Sequence, residues 1–178
     1  MRTVDAVAEI LKREGVESLP CFPTTPVIEA CAAAGIRPIV CRQERVGVGI
    51  ADGYSRITNG AKPGVFACQY GPGAENAYSG VATAYSDSVP MMLLPMGNVH
   101  GLAGVEPHFN SRESYASITK RVEEVNTPDR VAEVMRRAFS SVRMGRPGPV
   151  MVEIPGDVGT AEVDEAAWGG YRLSLIHI

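Results

Sequence analysis

A chain of 178 residues, 45% hydrophobic and 21% charged, has the balance of a soluble globular protein and enough length for one domain with a short extension. A net charge of −3 supplies no global field for nucleic acid or an anionic membrane, and the apolar run "VPMMLLPM" is far too short to span a bilayer. The four cysteines form no CxxC pair and the three histidines complete no zinc spacing, so the thiols read as buried small hydrophobes in a reducing cytoplasm.

The opening stretch, "MRTVDAVAEILKREG", reads as an amphipathic helix rather than a signal sequence. Val4, Val7, Ala8 and Leu11 recur at helical spacing, and Gly15 ends the helix. "SLPCF" is a short buried strand closed by "PTTP". Residues 26–34 are helical and stop at Gly35, and "RPIVC" is a second strand. A glycine-bearing helix over 43–58 follows, then the strand "GVFACQ", which "GPG" turns into a helix over 74–86. "PMMLLPM" is a fourth strand. A long loop, "GNVHGLAGVEPHFNSRES", and a short segment, "YASITKRVEEV", lead to Thr127.

Thr127 and Pro128 form a helix start, with the cap first and proline at the first helical position. Val131, Val134, Met135, Ala138, Phe139 and Val142 then trace one apolar face. Arg136, Arg137, Arg143 and Arg146, with Asp129 and Glu133 nearby, read as a solvated helix face. "GPVMVEIP" is the last strand. The ending "EVDEAAWGGYRLSLIHI" has no clear period and leaves Trp168 on a linker. Its apolar "LSLIHI" has no partner, as in a chain cut short or read through into foreign sequence. The division is therefore a domain over 1–160 and a linker or truncated tail over 161–178. Short continuous apolar strands alternating with helices predict an α/β fold: an open, doubly wound, mostly parallel sheet with helices on both faces. Such a sheet takes its ligands beyond the carboxyl ends of the strands.

Glu44 stands at that edge, directly after "RPIVC". An acid in the first turn of a helix has a purely structural explanation in the macrodipole. The helix it opens, however, carries Gly47, Gly49 and Gly53 in its interior, each unfavourable by about 1 kcal/mol relative to alanine. Close approach of another backbone or of a flat ligand accounts for such glycines. "GVGIADG" is one residue longer than the dinucleotide fingerprint and falls inside a helix, and no G-x-x-x-x-G-K-[ST] loop occurs. "QYGPGAENA" lies at a strand-to-helix turn, where amides can meet a ligand; Pro72 supplies no donor there and no lysine follows, which suits a flat polar edge better than a phosphate.

In order, "CFPTTP", "RQE", "ADGYSR", "YGPGAEN" and "AYSDSVP" resemble the motifs of the thiamine-diphosphate-dependent enzymes of the acetolactate synthase and 2-oxo acid decarboxylase group. "GRPGPVMVEIPGDV" resembles the end of that family's N-terminal domain, and the resemblance covers roughly residues 3–160. It implies a pyrimidine-binding domain. The family's glutamate matching Glu44 hydrogen-bonds the aminopyrimidine and promotes the tautomer that removes the thiazolium proton. Burial, which favours the protonated form of a carboxyl group in general, suits such a relay. The resemblance further implies that Pro23 lies in the turn that touches the pyrimidine, that Gly71, Pro72 and Gly73 form the cofactor-binding "GPG" turn, and that Asn76 helps fix the amino group. Gln69 falls where some members face substrate, and His108 lies in the segment matching the substrate-side loop. Taken alone, Pro23 and Pro72 can equally shape turns, Asn76 can solvate its helix, and His108 can be an exposed loop histidine.

The chain departs from the pattern at Gln43, Tyr70 and Glu75, where histidine, serine and threonine are usual, and "HFNSRE" replaces "A-F-Q-E". No "G-D-G" with a trailing asparagine occurs, so no metal ligand is assigned. The implied cofactors are thiamine diphosphate and magnesium, the latter bound by a domain outside this chain, and the isolated chain is expected to be inactive. The expected whole is a cytoplasmic lyase or transferase that decarboxylates or joins 2-oxo acids as a homodimer or higher oligomer. The alternatives are the pyrimidine-binding subunit of a two-chain sulfopyruvate or phosphonopyruvate decarboxylase, and a non-catalytic dimerisation or regulatory module.

Overall fold

Six parallel strands run side by side in the order β2-β1-β3-β4-β6-β5. They are β1 (Ser18–Cys21), β2 (Arg37–Val40), β3 (Gly64–Cys68), β4 (Met91–Gly97), β5 (Arg121–Glu124) and β6 (Val150–Pro155). The structure, a computed structural model, describes residues 1–23 and 25–174. Thr24 of the "PTTP" turn and residues 175–178 of the "LSLIHI" ending lie outside the described residues. No helix among the described residues is long and apolar enough to cross a membrane.

Side chains alternate across the sheet, so each central strand feeds two cores. Val65 and Ala67 of β3, with Met92 and Leu94 of β4, join one cluster; Phe66, Cys68, Met91 and Leu93 join the other. On the first face pack α1 (Thr3–Arg13), α2 (Pro26–Ala33), α6 (Val131–Arg143), α7 (Gly156–Thr160) and α8 (Glu165–Trp168). On the second pack α3 (Glu44–Ile57), α4 (Pro72–Ser86) and α5 (Ser111–Tyr115). The expected doubly wound α/β fold is what forms, with every strand pair parallel. All four cysteines are buried, and burial pushes Cys21 up to about 11 and Cys31 up to about 12.

Four details differ from the sequence expectation. Within "YASITKRVEEV" lies an edge strand, β5, whose charged face hides it from a hydrophobic-pattern reading. Glu123 on β5 is held by Arg121 and by Arg137 of α6, so one arginine of the supposed solvated face reaches back to the sheet. Thr127 is extended as a cap should be but makes no side-chain bond, and Pro128–Arg130 form a 3-10 turn before α6 begins. Trp168 is packed rather than carried on a loose linker: it is 8% exposed in α8, with the Arg13 guanidinium 5.0 Å from its ring centre.

The glycines of α3 also divide. A Cβ on Gly47 would stand 2.3 Å from the Phe66 ring, so this glycine lets α3 lie on β3. Gly80 of α4 similarly admits Val48 of α3, whose Cγ1 would be 2.6 Å from a Cβ there. Gly49 and Gly53 face open space, and packing within this chain does not explain them.

Candidate functional site

After β1 the chain steps outward to β2, then returns to lay β3 on the other side of β1. At such a reversal, beyond the carboxyl ends of the strands, an open α/β sheet takes its ligands. Pro23 follows β1 and is exposed; Gln69, Gly71 and Pro72 follow β3; Glu44 opens α3 after β2. Parallel pairing in fixed register therefore brings residues far apart in sequence to one edge.

Glu44 is the first residue of α3, where the helix N-terminus favours its charge, and it is only 5% exposed. The Asn76 side-chain amide, on the second turn of α4, donates to Glu44 Oε2 at 2.5 Å. Among the described residues this is the hydrogen bond its carboxylate accepts from a side chain. Gly71 takes a φ of 60° and Pro72 begins α4, so the turn carries the chain from β3 straight into the helix. Gly73 then passes close by: a Cβ there would be 2.8 Å from Gln69 Cγ and 3.4 Å from Glu44 Oε1. Beneath lies Cys68, whose thiol burial pushes up, with the charge of Glu44 adding to the shift.

A second polar group gathers where β4, β6 and β5 meet. Buried Glu153 of β6 accepts from the Ser111 hydroxyl and faces Arg112 Nε at 3.3 Å. Arg112 also pairs with Glu124. His100 Nδ1 lies 2.9 Å from Asp157 Oδ2, which ties the loop after β4 to α7. Burial raises the Glu153 carboxyl above its ordinary range, with Ser111 and Arg112 opposing the shift. His108 is exposed and lines a hollow of about 150 Å³ with Tyr70, Gly97, Phe109 and Glu153. A neighbouring hollow of about 270 Å³ is lined by Tyr70, Pro26, Met96 and Leu102. Neither is lined by Glu44, Gln69 or Asn76. The structure thus brings Glu44, Gln69, Gly73 and Asn76 together, leaves Pro23, Gly71 and Pro72 in the loops after β1 and β3, and leaves His108 with the second group.

Sequence reasoning missed Tyr115, Glu153 and Arg112. Glu153 carried one available signal, an acid inside the apolar run "VMVEIP"; the others are legible only once α5 is docked.

A buried carboxylate beside bare glycine backbone, at the switch point of an open parallel sheet, is the placement of a ligand-binding α/β domain. Residues 1–118 match the family described as "Thiamine pyrophosphate enzyme, N-terminal TPP binding domain", and the chain belongs to that family. It is similar to the probable acetolactate synthase large subunit of Methanocaldococcus jannaschii, 32% identical over 169 residues, which cover 92% of this chain and 28% of that protein. It is also similar to acetolactate synthase 2, chloroplastic, of Nicotiana tabacum, at 36% identity over 86% of this chain and 24% of that protein. The acetolactate synthase large subunit of Haemophilus influenzae is 35% identical over 86% of this chain and 27% of its own length. The chain spans about a quarter of the length of these curated relatives.

The residues present fit one end of thiamine diphosphate. A carboxylate and an amide, set beside a glycine where any Cβ would intrude, suit the polar edge of a flat aminopyrimidine. The diphosphate calls for a cation, and among the described residues no group of three His, Cys, Asp or Glu side chains could hold one.

Proposed function

We propose that this domain holds the pyrimidine of thiamine diphosphate in an acetolactate-synthase-like enzyme that decarboxylates or joins 2-oxo acids, with Glu44 as its catalytic acid. The observation that carries the reading is the buried Glu44 carboxylate, held among the described residues by the neutral Asn76 amide beside the bare backbone of Gly73. Bound thiamine diphosphate would supply the thiazolium carbon at which such chemistry occurs. Glu44 would exchange a proton with a pyrimidine ring nitrogen. Asn76 orients the carboxylate by donating to Oε2, which leaves Oε1 on the Gly73 side for the ligand. Pro23, Gly71 and Pro72 shape the rim, and Gln69, beside Gly73, faces the substrate side with a lesser contribution from His108.

Magnesium and the diphosphate would be held by a region beyond the part of the relatives that this chain matches. A homodimer, in the cytoplasm, is the proposed assembly. Val46, Gly49, Ile50, Gly53 and Ile57 form an apolar, open stripe along α3, with Ile57 83% exposed, and a second copy would cover it.

The test is thiazolium proton exchange in the assembled enzyme. Glu44→Gln should slow it by roughly 10²–10⁴-fold while the fold is retained. Exchange at the normal rate would refute the role.

A further inference from the structure

The first turns of α4 carry both Gly73 and Asn76, so the placement of that helix start decides how Glu44 is held. Its own cap does not fix it: Gly71 offers no side-chain bond. The tie comes from α5. Tyr115, fully buried, donates its hydroxyl to the Ala74 carbonyl at 2.5 Å. Ala74 is itself fully buried and stands between Gly73 and Asn76 in the chain. The Tyr115 ring meets Tyr78, one turn further along α4, edge-on with ring centres 5.3 Å apart.

Helix α5 is itself held at both ends. Asn110 caps α5 by accepting from the Glu113 amide. The Ser111 hydroxyl donates to buried Glu153 on β6, and Arg112 pairs with the same carboxylate. At the other end, the Thr119 hydroxyl donates to the Tyr115 carbonyl at 2.8 Å. A buried hydroxyl needs an acceptor, and a helical carbonyl has a second lone pair to give. The hydroxyl therefore pins α4 at one point, immediately beside the Glu44 contacts.

We propose that Tyr115 is the positioning residue for the Glu44–Asn76 pair: its hydroxyl sets the start of α4 so that Asn76 reaches Oε2 and Gly73 lies beside Oε1. The functional meaning rests on the pyrimidine-binding reading above; the positional claim can be tested without it.

Tyr115→Phe removes the hydroxyl and keeps the ring. Tyr78→Phe is the control, because its hydroxyl only approaches Ser117 on the exposed side at 3.4 Å. In the 178-residue chain without cofactor, the Asn76 side-chain amide is assigned in nitrogen–proton spectra by its loss in Asn76→Ser. In Tyr115→Phe its solvent exchange should quicken roughly tenfold, with β3 and β4 amides as protected as before. In Tyr78→Phe it should not change. In the assembled enzyme at saturating thiamine diphosphate, Tyr115→Phe should slow thiazolium exchange about tenfold with cofactor affinity nearly unchanged. An unmoved Asn76 signal in Tyr115→Phe overturns the proposal, as does a shift shared equally by every amide in the core. If Asn76 moves yet Glu44→Gln leaves thiazolium exchange normal, the pyrimidine reading fails while the positioning of the pair stands.

Discussion

The carboxylates of Glu14 and Glu44 are both withdrawn from solvent, one before β1 and one after β2, and they are held in opposite ways. Glu14 sits at the C-terminal end of α1, where the helix dipole disfavours an acid, yet its side chain is fully buried. Arg143, the Tyr171 hydroxyl and both the amide and hydroxyl of Ser174 satisfy it. Burial alone would push its carboxyl up, but these bonds outweigh it and leave Glu14 below the usual carboxylate range. Glu44 sits where the dipole favours it and, among the described residues, accepts from a single neutral side-chain amide, that of Asn76. A saturated, ion-paired acid has nothing left to offer a ligand and works as a clasp for residues 162–174. An acid with one neutral partner keeps an oxygen available for chemistry.

That contrast can be broken in order of effect. The largest should be Glu44→Gln, which would remove the proposed proton relay and slow exchange by roughly 10²–10⁴-fold while moving the unfolding midpoint little. Equal losses of activity and stability would erase the distinction between the two glutamates. Next comes Arg143→Ala, which strands the Glu14 charge and should cost about 3 kcal/mol in denaturant unfolding without touching exchange at a bound thiazolium. Gly73→Ala puts a methyl group 2.8 Å from Gln69 Cγ and beside Glu44 Oε1. It should destabilise by about 1–3 kcal/mol and weaken cofactor binding, read by calorimetry on the assembled enzyme.

A smaller effect is its pH dependence. Because the folded value of Glu14 lies below its ordinary 4.5, the clasp contributes fully above that value and loses its contribution as pH falls through the folded one. Acid titration of unfolding should therefore show wild type and Glu14→Gln converging at low pH. Glu153 runs the other way: its raised carboxyl makes the fold lose stability as pH climbs from the ordinary value through the raised one. The smallest expected change is Arg13→Ala, which removes the cation over Trp168 and should cost about 0.5–1 kcal/mol, visible as a shift in tryptophan emission during unfolding.

The two glutamates also differ in legibility. Glu44 stood out because a strand, an acid and a glycine-rich helix follow one another within a few residues. Glu14 gave no sign, since Ser174 lies 160 residues away in the chain. Gly47 was legible as a close-approach glycine and proved to be one, whereas Gly49 and Gly53, of the same type on the same helix, face open space. Edge strand β5 was hidden by its own charges, because Glu123 pairs with Arg137 on α6 as well as with Arg121 two residues before it.

The amino-acid order by itself determined the alternation of strands and helices, the parallel sheet and the seat of Glu44 at its carboxyl edge. These follow from periodicity, caps and glycine turns, which act over a few residues. Only the tertiary structure decided that Asn76 is the partner of Glu44, that Tyr115 reaches Ala74 across 41 residues, and that Trp168 is packed against Arg13. Those contacts are chosen by how helices settle on the sheet, and hydrogen bonds between distant segments leave no period in the sequence to read.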